Sequence, residues 1–291
     1  MDLNQKFGLI KEVGHEIIGE DELKELLSKK KKLVAYDGFE PSGRMHLAQG
    51  LVRVNNINKL TKAGCTFKIL VADWFAFLNN KYGGDMEKIK VAGDYFIEMW
   101  IACGLDKKNV EFITSSDLIK DPKYWELVMK IATMNSVDRI IRCSQIMGRS
   151  ESDKLSAAQI FYPCMQAADV FYLNVNIAQL GLDQRKVNIL AREMAPKLGY
   201  EKPIIVSHHM LAGLGEPQKG LTGAEAAIAK KMSKSQPDTA IFMDDSAEDV
   251  SRKISKAYCP QGVVEDNPIL EYAKYIVFEH TSSITIKRPE K

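Results

Sequence analysis

The feature that most constrains this chain is an alternation of short apolar runs with stretches of helical periodicity. "KLVAYDG" (32–38), "TFKILVAD" (66–73) and "NVEFITS" (109–115) read as buried strands, and helical patterns over 47–64 and 88–104 separate them. Strands alternating with helices predict βαβ units, and so an α/β fold with a doubly wound parallel, Rossmann-like sheet. After 115 the pattern changes to a helical block, about 117–168, rich in basic residues ("VDRIIRCSQIMGR"). A strand-like run "DVFYLNV" (169–175), a helix at about 184–198 and a strand "KPIIVSH" (202–208) then resume the alternation. The block is therefore predicted to be a helical insertion between two halves of one sheet. Periodicity also predicts helices over 3–18 and 21–30, and over 246–259 and 267–280.

Composition narrows the class. With 291 residues, 45% hydrophobic and 27% charged, the chain can bury one large core or two smaller ones. A net charge of +2 permits nucleic-acid binding without arguing for it. The cysteines at 65, 103, 143, 164 and 259 form no CxxC pair or metal-ligand spacing, which suits reduced thiols. No apolar run approaches membrane-spanning length, and the amphipathic, acid-bearing start is unlike a signal or transit peptide. These features predict a cytoplasmic protein with no membrane partner and no protein-bound metal.

Two segments carry chemistry. The loop "YDGFEPSGRMHLAQG" follows the first strand, and His46 opens the next helix. That is where α/β sheets bind ligands: beyond the carboxyl ends of strands, at a helix N-terminus that favours anions. Ser42 and Gly43 precede His46, and Ala48 and Gly50 permit close approach of the backbone. The loop contains neither GxxxxGK[ST] nor GxGxxG, so Walker and dinucleotide readings lose their main support. Far along the chain, Lys231-Met232-Ser233-Lys234-Ser235 concentrates cations and hydroxyls. Alone, such a cluster is as readily a solvated loop as a flap that closes on polyphosphate.

Together, in this order on a split sheet, the two segments are recognisable. His46-Leu47-Ala48-Gln49 resembles the HIGH motif, and residues 231–235 match the KMSKS motif, the two signatures of class I aminoacyl-tRNA synthetases. "YDGFEPSGRMHL", "FYPCMQAAD", "GLDQRKVNILARE", "KAYCPQGVVEDNPI" and "ITIKRPEK" further resemble tyrosyl-tRNA synthetases of the archaeal and eukaryotic type, over nearly the whole chain. The departure is Gln49, where the motif usually has its second His. An amide still donates a hydrogen bond to phosphate oxygen but carries no proton charge, which suffices for chemistry that works by positioning.

The resemblance implies activation of L-tyrosine by ATP with Mg²⁺, then transfer of the tyrosyl group to tRNA(Tyr). It places His46 and Gln49 at the α-phosphate, Lys231 and Lys234 at the β- and γ-phosphates, and Met232, Ser233 and Ser235 in the flap. Ser42, Gly43, Gly181 and Asp183 would complete the ATP site, Asp183 on the ribose. From the residues alone, Asp183 is as well explained as a helix N-cap. Tyr162, Gln166 and Asp169 fall at i, i+4 and i+7, on one helix face. By resemblance, Tyr36 and Asp169 take the substrate phenol, and Tyr162, Gln166 and Gln184 take its ammonium end. A tryptophan-charging relative, a nucleotidylyltransferase and a non-catalytic tRNA-binding relative are the competing readings. The expected organisation is a catalytic domain over 1–245 and a helical segment over 246–291, leading toward an anticodon-binding domain outside these residues. In the insertion, Ile131, Met134, Val137, Ile140, Ile141, Ile146 and Met147 are taken as outward-facing beside Arg139, Arg142 and Arg149, and the resemblance implies that it forms a homodimer interface and guides tRNA.

Overall fold

A computed structural model describes residues 1–29, 32–147, 154–217, 232 and 237–286. Among them, six strands form one sheet: Glu16–Ile18 (β1), Leu33–Phe39 (β2), Cys65–Val71 (β3), Val110–Thr114 (β4), Ile177–Ala178 (β5) and Ile204–Ser207 (β6). The sheet order is β1-β6-β5-β2-β3-β4. Up to residue 198 the described α-helices are α1 (Leu3–Val13), α2 (Glu20–Lys29), α3 (Arg53–Lys62), α4 (Asp73–Leu78), α5 (Met86–Ala102), α6 (Ser115–Leu118), α7 (Pro122–Thr133), α8 (Val137–Ile141), α9 (Ala157–Tyr172) and α10 (Arg185–Leu198). From β2 the chain builds outward through β3 and β4, then returns to the other side of β2 with β5 and β6. The order thus switches between β2 and β5, so the loops after those two strands flank the ligand-binding crevice expected of an open α/β sheet.

The pairings β2·β3, β3·β4, β2·β5 and β5·β6 are parallel, as the alternation predicts. Helices α6 to α9 lie between β4 and β5 in the chain, where the insertion is expected. Three expectations need correction. The predicted helix over 3–18 ends at Val13, and Glu16, Ile17 and Ile18 pair antiparallel with Ser207, Val206 and Ile205. The sheet is therefore mixed at its edge. Gly14 ends the helix, and the free edge of β6 captures the apolar pair that follows. Second, 169–175 is not a strand: α9 runs through Tyr172. It begins with a Ser156/Gln159 capping box and ends on Asn174, at φ 54°, where the Asn174 and Val175 N–H groups donate to the Phe171 and Val170 carbonyls. Third, α4 lies in "DWFAFL", where the pattern gives no element.

Two compact units divide the chain. The first takes Met1–Gly43 and Asn56–His209, and it contains the sheet. Its core gathers Leu70 of β3, Tyr124 and Val128 of α7, Ala167 and Ala168 of α9 and Leu190 of α10. The second takes Arg44–Asn55 and the chain from Met210. It buries Val52, Leu211, Leu214, Met232, Ile241 and Phe242 together with Tyr272, and it carries helices Ala247–Ser255 and Pro268–Tyr272. Among the described residues no helix is long and apolar enough to cross a membrane.

Candidate active site

In the first unit, β2 and α9 bring a carboxyl group under two phenols. Tyr36, on β2, donates through its hydroxyl to Asp169 Oδ2 at 3.1 Å. Tyr124, on α7, donates to Asp169 Oδ1 at 2.8 Å. Asp169 is wholly buried. Burial pushes its carboxyl up to about 8, while the hydrogen bonds from Tyr124 and Tyr36 pull the other way. Both phenols are held well above their ordinary range, first by burial and then by the neighbouring Asp169 charge, so they keep their protons and act as donors. An isolated buried carboxyl would cost several kcal/mol, roughly the penalty for an unpaired polar group or more. Here both oxygens have partners. A substrate hydroxyl reaching this group would meet a polarised acceptor in a low-dielectric setting.

Two helical turns earlier on α9, Tyr162 donates to Glu40 Oε1 at 2.6 Å. Glu40 follows β2 directly. Asn79 Nδ2 donates to both Glu40 oxygens at 3.1 Å and to the Met147 carbonyl at 3.1 Å. Lys81 Nζ lies 3.5 Å from Glu40 Oε2. The Tyr162 ring is buried and packs edge-on against Phe75, with centroids 4.7 Å apart. Gln166 Nε2 donates to Gln184 Oε1 at 3.1 Å, and Gln184 Nε2 to the Ile146 carbonyl at 3.4 Å. The structure thus brings together Tyr36, Tyr162, Gln166, Asp169 and Gln184.

The remaining first-unit residues lie on the two switch-point loops. Ser42 and Gly43 follow β2. Gly43 has φ 57°, a left-handed value that suits glycine, and its N–H donates to the Tyr82 hydroxyl at 2.7 Å. Tyr82 is itself left-handed, at φ 51°, within a turn where Asn80, Gly83 and Gly84 also have positive φ. The turn after α4 thus reaches Glu40 through Asn79 and Lys81, and Gly43 through Tyr82. Gly181 follows β5 and bridges to His208. Asp183 sits in the short turn Leu182–Gln184; it does not cap α10, whose N-cap is Gln184.

His46 and Gln49 belong to the second unit. Residues 45–47 run antiparallel to 241–243: His46 bridges Phe242, Leu47 N–H donates to the Ile241 carbonyl at 3.0 Å and Met243 N–H to the Met45 carbonyl at 2.8 Å. The helix that His46 opens starts as a π-helical turn, Ala48–Val52, before α3. What approaches Gly50 closely is the chain itself, since a Cβ there would lie 2.7 Å from Met243 Sδ. An ionic cluster anchors this ribbon. Arg44 Nε donates to both Asp244 oxygens at 2.9 and 3.0 Å, and Arg44 Nη2 to Asp245 Oδ1 at 2.8 Å. Asp245 Oδ2 accepts from Lys253 Nζ at 2.6 Å and from Phe242 N–H at 2.9 Å. Burial alone would raise the Asp245 carboxyl, but the hydrogen bonds from Lys253, Phe242 N–H and Arg44 outweigh it and hold it below the usual range. Met232 is buried in the same unit, with its N–H on the Leu211 carbonyl at 3.3 Å. Lys231, Ser233, Lys234 and Ser235 lie outside the described residues.

Sequence reasoning missed Tyr124 and Glu40. Tyr124 falls at i, i+4 and i+7 with Val128 and Ile131, so it reads as one more core position on α7, and only its buried hydroxyl betrays a polar role. Glu40 was visible inside "FEPSG" but has no local pattern; its partners come from residues 79, 81 and 162. Among the outward-facing residues expected of the insertion, Ile131, Ile140, Ile146 and Met147 are instead in the core. Met134 and Val137 are exposed, as are Trp125 and Met129. Arg139 pairs with Glu193 at 3.0 Å, and Arg149 lies outside the described residues. No group of three or more His, Cys, Asp or Glu among the described residues is arranged to hold a metal ion.

Known proteins match this arrangement. The family described as tRNA synthetases class I (W and Y) matches residues 28–291. Tyrosine–tRNA ligase 1, cytoplasmic, of Arabidopsis thaliana is 54% identical over 293 residues, which span all of this chain and 73% of that protein. A Leishmania major tyrosyl-tRNA synthetase in complex with tyrosinol superimposes with a TM-score of 0.88 at 46% identity, covering 97% of this chain and 43% of that one. A Pyrococcus horikoshii tyrosyl-tRNA synthetase complexed with L-tyrosine gives 0.89 at 35% identity, covering 96% of this chain and 81% of that one. The chain thus spans less than half the length of the Leishmania chain it matches.

Proposed function

The chain belongs to the tyrosyl-tRNA synthetases of class I, and we propose from that premise that it activates L-tyrosine with ATP and passes the tyrosyl group to tRNA(Tyr). The observation that carries the choice of amino acid is the buried Asp169 carboxyl with Tyr36 and Tyr124 on its two oxygens. A substrate phenol has both a proton to donate to this group and a lone pair to accept with. Phenylalanine has neither and would exchange water for an unpaired contact.

In the first step the tyrosine carboxylate attacks the α-phosphorus of ATP. The bond to the bridging oxygen breaks, and pyrophosphate leaves with its electron pair. The nucleophile is already ionised, so alignment and charge neutralisation supply the catalysis. Tyr36 and Asp169 hold the phenol. Tyr162, Gln166 and Gln184 hold the ammonium. His46, Gln49, Ser42 and Gly43 meet the α-phosphate, and Gly181 and Asp183 meet the ribose. Lys231 and Lys234 neutralise the departing pyrophosphate, with Ser233 and Ser235 shaping their loop and Met232 anchoring it. Mg²⁺ enters as part of the ATP complex. In the second step a terminal ribose hydroxyl of tRNA attacks the tyrosyl carbonyl, and AMP leaves.

The protein acts in the cytoplasm, a reading supported by the Arabidopsis relative, whose name places that protein there. Residues 1–245 serve catalysis and 246–291 lead toward tRNA-reading structure. The chain works as a homodimer, for which the exposed apolar residues Trp125, Met129, Met134 and Val137 on α7, α8 and their connection speak.

ATP–pyrophosphate exchange with each amino acid tests the activity. Tyrosine is expected to support exchange at least a hundredfold above phenylalanine or tryptophan. Exchange driven best by tryptophan, or by no amino acid, would overturn this reading.

A further inference from the structure

Glu40 has no role in the reaction as derived so far, yet its carboxylate is a junction. It stands between α9 and the turn that follows α4, and four hydrogen bonds or ion pairs converge on it. Asn79 spends one Nδ2 proton across the two Glu40 oxygens and the other on the Met147 carbonyl, which fixes the carboxylate plane. Tyr162 has a single hydroxyl proton, and it points at Glu40 over 2.6 Å. A phenol that has given its proton away presents only lone pairs in other directions. Burial, and then the Glu40 charge, keep that proton on Tyr162.

The amides nearby are turned in the same sense. Gln166 uses an N–H on Gln184 Oε1, and Gln184 uses one on the Ile146 carbonyl. Gln166 Oε1 therefore remains an acceptor. Were Tyr162 instead to donate toward the substrate, it would repel an ammonium. The direction of each hydrogen bond decides whether this end of the site reads a cation.

We propose that Glu40 is a positioning residue for the ammonium of tyrosine: by taking the Tyr162 proton, it makes Tyr162 a pure acceptor, and so sets the preference for ligands with an α-ammonium. The inference rests on the assignment of Tyr162, Gln166 and Gln184 to the ammonium end. It extends that assignment to a residue that touches the substrate only through another.

The test compares two ligands that differ in the amine alone: tyrosinol and 3-(4-hydroxyphenyl)propan-1-ol. Calorimetric titration of the 291-residue chain is expected to show tyrosinol bound more tightly. In Glu40→Leu, which leaves the Tyr162 proton no acceptor at this position, that preference falls about tenfold, the scale of one charge-assisted hydrogen bond, with the affinity for the amine-free alcohol unchanged. Tyr162→Phe lowers the preference similarly, and the double variant loses little more than either single one. An unchanged preference in Glu40→Leu overturns the proposal. So does an equal loss for both ligands, which would mean a merely structural role. Additive losses in the double variant would mean that Glu40 acts on the amine directly and would overturn the route through Tyr162. Failure of the unsubstituted chain to bind either alcohol would instead strike the substrate assignment itself.

Discussion

At the scale of single residues, Asp169 is a carboxyl wholly removed from water. Its carboxyl titrates near 8 in the folded chain against a usual value of 3.8. Below the lower value folded and unfolded chains both hold the proton. Between the two, the folded chain holds a proton that the unfolded chain lacks, so the stability contribution present at low pH is lost as pH rises toward 8. Asp169→Asn should therefore flatten the fall in melting temperature between pH 5 and pH 8, seen by thermal denaturation. Ligand binding should show the opposite slope. A tyrosine hydroxyl that donates to Asp169 favours its ionised form, so binding releases a proton and affinity rises with pH up to about 8. Tyr124→Phe removes a donor that lowers this titration. The same substitution should move the binding midpoint upward. In exchange assays at neutral pH it should cut the preference for tyrosine over phenylalanine by about tenfold, the scale of one net hydrogen bond, because an Asp169 that holds its proton more firmly accepts poorly from the substrate hydroxyl, while the KM for ATP stays put.

At the scale of elements, α9 carries most of the substrate end of the site. Tyr162, Gln166 and Asp169 share one face, and the helix is fixed at both ends by its capping box and by Asn174. Pro163 interrupts its interior, so the N-terminal turns depend heavily on the cap. Ser156→Ala should cost ~1 kcal/mol of stability, measured by denaturant titration, and Ser156→Asp should recover it. The ribbon that carries His46 is held differently: Arg44, Asp244, Asp245 and Lys253 lock it by charge, with Phe242 between Arg44 and Lys253, 4.4 and 4.9 Å from its ring centroid. Lys253 and Asp245 are both almost wholly buried, so removing one partner strands the other.

For the whole molecule, the proposed dimer makes a measurable claim. Trp125 and Met129 are one helical turn apart on α7 and are 39% and 49% exposed; Val137, opening α8, is 57% exposed. A face of this kind, repeated on a second copy about a two-fold axis, would bury its apolar area. Sedimentation at micromolar concentration should give a dimer, and Met129→Glu a monomer that still binds tyrosinol. A monomeric unsubstituted chain would refute the assembly.

Much of this protein is legible in its sequence because the relevant physics is local. The alternation of apolar runs with 3.6-residue periodicity specifies four of the five parallel strands, β2, β3, β4 and β6, and the helices between them, and the His46 and 231–235 motifs are contiguous, so they survive in one dimension. The helix spacing of Tyr162, Gln166 and Asp169 also needs no tertiary knowledge, although the apolar run 169–175 by itself cannot be told from a strand. Other features exist only after the chain has closed on itself. Glu16–Ile18 becomes a strand because β6 leaves an edge free. Tyr124 becomes polar in function because Asp169 arrives 45 residues later in the chain. Glu40 acquires its four contacts from residues up to 122 positions away. Ile131, Ile140, Ile146 and Met147 go inward because α7 and α9 pack on one another. Sequence patterns report which side of a helix is apolar, but which buried proton meets which buried acceptor depends on contacts between distant segments, and these only the tertiary structure decided.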